Sequence, residues 1–272
     1  MTARYFVAGW PVAHSRSPGM HNAAFEAAGI DAVYGRLEVA PGAFEEAMEE
    51  LPEGTRGLNV THPHKEAAWE WARARGELSA AAEALRAVNT IAMDEEGRVR
   101  ADNTDASGFA AAVREAFPGL VLRGARVLVL GGGGAARAVC WALEREGARV
   151  AMAVRRMRQA ERAREAVPGL EGVAWSEAVE AARKCALVVN ATPVGMREGD
   201  ASPLEEGAFQ EGQAAMDLIY APAVTPFMLA ARSGGAETAN GLPLLLHQAM
   251  RSWEFWMGRK APEEAMRGAL GA

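Results

Sequence analysis

Short apolar runs alternate with amphipathic stretches along most of the chain, and that alternation predicts strand–helix units. YFVAGW (5–10) precedes MHNAAFEAAG, AVYGRLEV (32–39) precedes AFEEAMEEL, and RGLNV (56–60) precedes HKEAAWEWARA. Such an order implies a mainly parallel sheet with helices on its faces. The rhythm breaks at IAMDEEGRVRAD (91–102), where two extended runs flank Glu95, Glu96 and Gly97 and predict a hairpin. It restarts with ARVLVLG (125–131), ARVAMAV (148–154) and CALVVNA (185–191), continuous apolar runs of the kind that form strands covered on both sides. We therefore expect an α/β protein of two domains. Residues 1–102 and 241–272 form the first, with LLLHQAMRSWEFWMG returning to it as a helix, and residues 103–240 form the second.

Composition narrows the function classes. With 272 residues, half of them apolar, the chain can bury two modest cores. A net charge of −6 and a pI near 5.5 argue against nucleic-acid binding, which needs clustered positive charge. Any anionic ligand must be held by local chemistry. The opening MTARYFVAGWPV carries no targeting pattern, and no apolar run approaches the roughly 18 residues of a membrane span, so no membrane partner is expected. Cys140 and Cys185 lack disulfide or metal spacing, which suits a reducing, cytoplasmic setting with both thiols as small buried residues. His14, His21, His62, His64 and His247 form no ligand set with Cys or carboxylates, so no metal is expected.

The strongest motif is VLVLGGGGAARAVCWAL, a buried strand that runs through Gly131, Gly132, Gly133, Gly134, Ala135 and Ala136 into a helix. Read as G-x-G-x-x-A, it gives a tight turn at Gly131, close backbone approach to a pyrophosphate at Gly133, and close helix packing at Ala136. The helix N-terminus then offers free N–H groups to phosphates. The alternative is a tight strand–helix turn without a ligand. About twenty residues on, where an NAD-preferring fold places an acidic residue, the chain reads AVRRMRQ. Val154 has no carboxylate, whereas Arg155, Arg156 and Arg158 suit a 2′-phosphate; Arg155 and Arg156, at the strand end, are the expected ligands, and the nucleotide is NADP. An Arg-rich solvated helix face is the alternative; it accounts for Arg162 and Arg164 and is open for Arg158.

Lys65 breaks two habits. The chain has only three lysines against many arginines, and in GLNVTHPHKEAAWEW Pro63 suits a helix's first turn, which puts Lys65 near the positive end of the dipole, where an acidic residue is favoured. Local rules are most often broken where function is. Arginine keeps its proton at all working pH values, but an ammonium can give one up and recover it. A surface lysine at a helix start is the plain alternative. In DNTDASGFAAAV, Asp105 stands at the mouth of the helix that opens the second domain, a place for a ligand group or simply an N-cap. In GWPVAHSRSPGMHN, Ser15 and Ser17 can donate to a small carboxylate or merely cap a helix.

Eight stretches in order, GWPVAHSRSPGMHN, GLNVTHPHK, AVNT, DNTDASG, LGGGGAARA, NATPVGM, DLIYAPAVTP and NGLPLLLHQ, make the chain similar to shikimate dehydrogenases over essentially its whole length. The resemblance implies a substrate domain and a Rossmann-like domain with a deep cleft between them, and reversible reduction of 3-dehydroshikimate to shikimate with NADPH in aromatic amino-acid biosynthesis. It implies Lys65 and Asp105 as the catalytic pair and Ser15 and Ser17 as holders of the substrate carboxylate. Thr61, Asn89 and Gln248 would reach ring hydroxyls, and Asn59 and Tyr220 would shape the pocket. Gly131, Gly132, Gly133, Gly134, Ala135, Arg155, Arg156 and Gly241 would hold the nucleotide, with Asn190, Thr192 and Met196 alongside the nicotinamide. Two positions depart from the family pattern: Gly132 replaces an alanine, which should change little, and Val154-Arg155-Arg156 replaces N-R-T, which opens the NADP/NAD ratio. Two readings remain open beside this one, a quinate-accepting dehydrogenase that uses NAD and a catalytically silent NADP-binding sensor. The oligomeric state is open between monomer and homodimer.

Overall fold

The apolar runs assemble into two six-stranded sheets, each the centre of its own compact unit. The computed structural model describes residues 2–271. In the first unit the chain runs β1 (Ala3–Gly9), α1 (Ser17–Ala27), β2 (Ala32–Glu38), α2 (Phe44–Glu49), β3 (Thr55–Val60), α3 (Lys65–Arg73), β4 (Gly76–Leu78), α4 (Ala80–Leu85), β5 (Thr90–Met93), β6 (Val99–Asp102) and into α5 (Thr104–Ala116). The strands lie in the order β2-β1-β3-β5-β6-β4. β1 is parallel to β2 and β3, while β5 is antiparallel to β3 and β6, so the hairpin read from residues 91–102 sits inside an otherwise parallel arrangement. β4 carries only three residues, too few for an apolar period, and it joins the edge beside β6.

The second unit continues with β7 (Arg126–Leu130), α6 (Gly134–Arg145), β8 (Arg149–Val154), α7 (Arg158–Arg164), β9 (Glu171–Ala174), α8 (Ala178–Ala182), β10 (Leu187–Asn190), β11 (Ala214–Asp217), α9 (Pro226–Ser233) and β12 (Glu237–Ala239). The chain closes with α10 (Leu242–Met257) and α11 (Glu263–Leu270). All pairs in the second sheet are parallel, in the order β12-β11-β10-β7-β8-β9. The order reverses between β10 and β7, and open α/β sheets bind ligands at the strand C-termini beside such a reversal.

The cores follow from the pattern. Val127, Leu128, Val129 and Leu130 of β7 are each fully buried, as a strand covered on both faces requires; each such side chain contributes about 1.5–3 kcal/mol. In the first unit Leu58, Val60, Val88 and Ile91 pack with Trp71 and Phe44. Trp253 is fully buried, and the Trp256 indole lies against Tyr5 and donates to the Ile91 carbonyl at 2.9 Å. Division into units falls inside two helices, after Gly108 in α5 and after Leu245 in α10. Asp105 and Gln248 therefore share a unit with Lys65.

Candidate functional site

Lys65 is the first residue of α3; Pro63 lies ahead of the helix, before the N-cap His64, and not in its first turn. Two interior contacts fix that loop. His64, itself buried, has its ring Nε2 2.7 Å from the Val39 carbonyl, and the Lys65 carbonyl accepts from Val88 N–H at 2.9 Å. The Lys65 ammonium donates to Asp105 Oδ2 at 2.5 Å, with the two side chains 23% and 18% exposed. Asp105 stands in the first turn of α5, and its other oxygen accepts from the Asn89 amide at 2.8 Å. Proton donor, carboxylate and carboxamide thus converge from three elements, half-sheltered yet open to a ligand.

Behind this trio the polar groups are buried and paired. Asn89 Oδ1 accepts from Thr104 N–H at 2.7 Å and from the Thr90 hydroxyl at 3.0 Å. Asn59 accepts from the Tyr34 phenol at 2.8 Å and donates to Ser252 at 2.8 Å, so its carboxamide is used as an interior strut. Tyr34 and Ser252 were not singled out by the sequence. Asn22 brackets the Tyr34 backbone, donating to its carbonyl at 3.0 Å and accepting its N–H at 2.8 Å, and the His21 ring stacks on its phenol at 4.5 Å. Burial drives the Tyr34 phenol well above its usual range. The adjacent His-Asn pair in GMHN was the available signal.

Ser17 opens α1 and is buried, with its N–H 3.3 Å from the Ser15 hydroxyl, and Ser15 stays partly exposed. Thr61 follows β3, half-buried, with its N–H donating to the Ala8 carbonyl at 2.9 Å. Gln248 is half-buried on α10. A Cβ at Gly108 would stand 2.7 Å from the Gln248 backbone nitrogen, so this mid-helix glycine lets the helix carrying Asp105 touch the helix carrying Gln248. Tyr220, half-buried, belongs to the second unit.

In the second unit, Gly131 ends β7 with φ of 105°, a conformation that favours glycine. A Cβ there would lie 3.1 Å from Thr192 Cγ2, so the loops after β7 and β10 meet at the reversal of strand order. Gly133 is the N-cap of α6 without any side-chain cap, α6 has no acidic residue in its first turn, and Cβ atoms at Gly133 and Gly134 would enter open space. Free first-turn N–H groups facing open space suit a pyrophosphate, and the exposed Ala135 side chain does not close that approach. Beyond β8, Arg155 and Arg156 are exposed and line a cavity of about 260 Å3 with Gln159. A neighbouring cavity of about 380 Å3 is lined by Gly132, Arg137, Arg158, Gln159 and Arg162. The residues present therefore fit a nucleotide bearing an additional phosphate.

Asn190 is fully buried and organises the loop after β10, accepting from the Thr192 hydroxyl at 2.7 Å and donating to Asp217 at 3.1 Å. Asp217 also accepts from Thr225 at 2.6 Å and from Ile219 N–H at 3.0 Å. Burial still pushes its carboxyl above the ordinary value. Gly241 N–H donates to the Ile219 carbonyl at 3.0 Å, tying the 217–226 segment to the start of α10, while the Met196 side chain stands exposed. Cys140 and Cys185 are separate buried thiols, and burial pushes Cys185 up to about 11.

The family model described as the shikimate dehydrogenase substrate binding domain matches residues 7–91, and that of the shikimate 5′-dehydrogenase C-terminal domain matches residues 241–270. A shikimate dehydrogenase (NADP(+)) from Methylobacterium radiotolerans is 41% identical across 96% of this chain and 95% of its own. The crystal structure of shikimate 5-dehydrogenase from Thermus thermophilus in complex with NADP(H) and shikimate is 37% identical, with a TM-score of 0.87 over 98% of both chains. Quinate dehydrogenase from Corynebacterium glutamicum in complex with NAD is 29% identical, with a TM-score of 0.88 over 99% of this chain and 98% of that one.

Proposed function

The chain belongs to the shikimate dehydrogenase family, and from that premise we propose that it reversibly reduces 3-dehydroshikimate to shikimate with NADPH. The single observation that carries the chemistry is the Lys65–Asp105 pair, an ammonium held at 2.5 Å by a carboxylate that Asn89 orients from its other side. NADPH, when bound, supplies hydride to the carbonyl carbon. As charge grows on the carbonyl oxygen, the Lys65 ammonium stabilises it and then gives it a proton. Asp105 holds that side chain in place, and in the reverse direction the Lys65 amine takes the proton back from the substrate hydroxyl. Ser15 and Ser17 serve the substrate carboxylate, and Thr61, Asn89 and Gln248 serve the ring hydroxyls. Asn89 has two amide hydrogens; one goes to Asp105, which leaves the other for substrate.

For the nucleotide, we assign the pyrophosphate to Gly131, Gly132, Gly133, Gly134 and Ala135 at the start of α6, and the 2′-phosphate to Arg155 and Arg156. Asn190 acts here through the loop it shapes, presenting Thr192 and Met196. Among the described residues no helix is long and apolar enough to cross a membrane. Two unpaired thiols accord with a reducing cytoplasm.

Quinate oxidation with NAD is the second reading, favoured by the likeness to the quinate dehydrogenase and opposed by Arg155 and Arg156. Initial rates with both acids and both nucleotides decide between them. We expect shikimate with NADP to give the highest kcat/KM; a preference for quinate with NAD overturns the proposal. A silent NADP-binding sensor predicts no turnover in any of the four combinations.

A further inference from the structure

We propose that Ser252 is a positioning residue for proton transfer, a buried hydroxyl that locks the Asn89 carboxamide and through it sets Asp105 opposite Lys65. This inference rests on the dehydrogenase reading above. Ser252, Thr90 and Thr104 are fully buried, and Asn89 and Asn59 nearly so. Solvent cannot satisfy these groups, and their hydrogen bonds must close among themselves. Ser252 arrives from α10, about 160 residues after Thr90 in sequence, and touches Asn59 Nδ2 at 2.8 Å, Thr90 Oγ1 at 2.8 Å and Thr104 Oγ1 at 3.2 Å.

Donor accounting fixes the orientation of the Asn89 carboxamide. Thr104 N–H can only donate, so the Asn89 atom 2.7 Å away must be the oxygen, and its amino group must point to Asp105. Turning that amide over would face two donors and strip Asp105 Oδ1 of its partner. The Thr90 hydroxyl accepts from Asn59 Nδ2 at 3.2 Å and stands 3.0 Å from Asn89 Oδ1 and 2.8 Å from Ser252 Oγ, while the Thr104 hydroxyl stands 3.2 Å from each of the same two acceptors, so the two threonine protons divide between Asn89 and Ser252. Ser252 donates back to the Gln248 carbonyl at 3.0 Å, leaving its oxygen to accept from Asn59 and from one of the two threonine hydroxyls. Removing that oxygen strands the shorter of the Asn59 contacts and leaves both threonine hydroxyls to compete for Asn89 Oδ1. Both threonine hydroxyls then have reason to re-aim, because a buried unpaired donor is costly. Asn89 is the group that loses its hold. Ser252 touches neither Lys65 nor Asp105, and every step of its influence passes through the carboxamide.

The test is a double-mutant cycle on Ser252→Ala and Asn89→Ala, read on kcat, on KM for shikimate, on NADP affinity and on thermal unfolding. Ser252→Ala is expected to lower kcat roughly 3- to 10-fold while NADP affinity stays within about twofold and any rise in KM, through the Asn89 contact to substrate, stays smaller than the fall in kcat. In the Asn89→Ala background the same change is expected to alter kcat by less than about twofold, because the route of its influence is already gone. An equal kcat loss in both backgrounds, or a loss confined to KM, overturns the proposal. A second measurement does not depend on turnover or on the folding of Asn89→Ala. In the 15N side-chain spectrum, Ser252→Ala should shift the Asn89 amide protons and speed their exchange, and an unmoved Asn89 signal overturns the lock. A wild-type chain that turns over neither acid defeats the functional reading, and the spectrum still decides the positioning claim.

Discussion

The polar groups around Lys65 and those around Gly131 solve opposite problems. In the first unit carboxamides, hydroxyls and a carboxylate from β3, β5, α5 and α10 pair with one another below the surface, and only the Lys65–Asp105 tip meets solvent. In the second unit the groups we assign to the nucleotide are backbone N–H groups at the start of α6 and guanidinium groups standing clear of β8. Chemistry on a carbonyl needs charge fixed in advance of the reaction, whereas binding a flexible dinucleotide needs reach and open approach. On the proposed assignment, the difference teaches that this chain invests its interior polar groups in the reacting end and leaves the binding end to backbone and surface charge.

The comparison breaks first at Lys65. Lys65→Ala is expected to lower kcat on the order of a thousandfold, the range of a lost general acid, while NADP affinity measured by fluorescence titration stays unchanged. Equal loss of both would mean that the two regions are not separable. The converse change is smaller. Arg155→Ala with Arg156→Ala is expected to weaken NADP roughly 10- to 100-fold and to leave NAD nearly untouched, with kcat at saturating nucleotide close to wild type. A parallel loss of NAD affinity would move the 2′-phosphate away from these arginines.

A third expectation concerns burial. His21 is fully buried, neither ring nitrogen has a hydrogen-bond partner among the described residues, and burial pushes its pKa down to about 3 from 6.5, the nearby Asn59 amide offsetting only part of the cost. The unfolded chain takes up this proton below about pH 6.5 and the folded chain only near 3. Stability from this group is therefore full above pH 6.5 and falls as the solution is acidified through that window, by about 2 kcal/mol at pH 5. Denaturant titrations from pH 7 to pH 4 check it: His21→Phe, which keeps a ring on Tyr34, should lose less stability across that range than the wild type. Identical slopes would show that the histidine is hydrated.

How much was legible follows the same divide. Gly131, Gly133 and the Arg155-Arg156 pair are adjacent in sequence to the elements they serve, so local pattern exposes them. The β7 and β8 strands were readable for the same reason, their apolar runs being continuous. Lys65 was visible because its residue type breaks the arginine habit, and Asp105 because a helix begins there. Tyr34 and Ser252 carry no such mark. An aromatic in an edge strand and a serine among helical apolar residues look ordinary, and their roles arise from partners tens to hundreds of residues away. Short strands such as β4 and β12 were hidden too, since three residues give no period. Gly108 was overlooked because a glycine inside a helix declares its purpose only when the helix packed against it is known.

Gly132 gives the smallest and sharpest test, because the sequence suggested that alanine there would change little. The structure disagrees on a local count. A Cβ on residue 132 would stand 2.7 Å from Gln159 Cβ and 3.1 Å from its Cδ and Nε2. The far end of a glutamine can swing aside, but its Cβ moves only with the backbone at the start of α7. Gly132→Ala must therefore shift either the glycine loop or the turn that carries Arg155 and Arg156. We expect a loss of about 1 kcal/mol in stability, the low end of over-packing because both loops lie near the surface, with NADP affinity weakened a few-fold and KM for shikimate unchanged. The rescue pattern is diagnostic. Adding Gln159→Ala removes the amide but keeps the offending Cβ and should restore little, whereas adding Gln159→Gly removes the clash and should restore nucleotide affinity. Full rescue by alanine would place the conflict at the amide end, and the spacing between the glycine loop and the arginines would then be soft, contrary to the separation drawn between a fixed reacting end and a binding end set by its backbone.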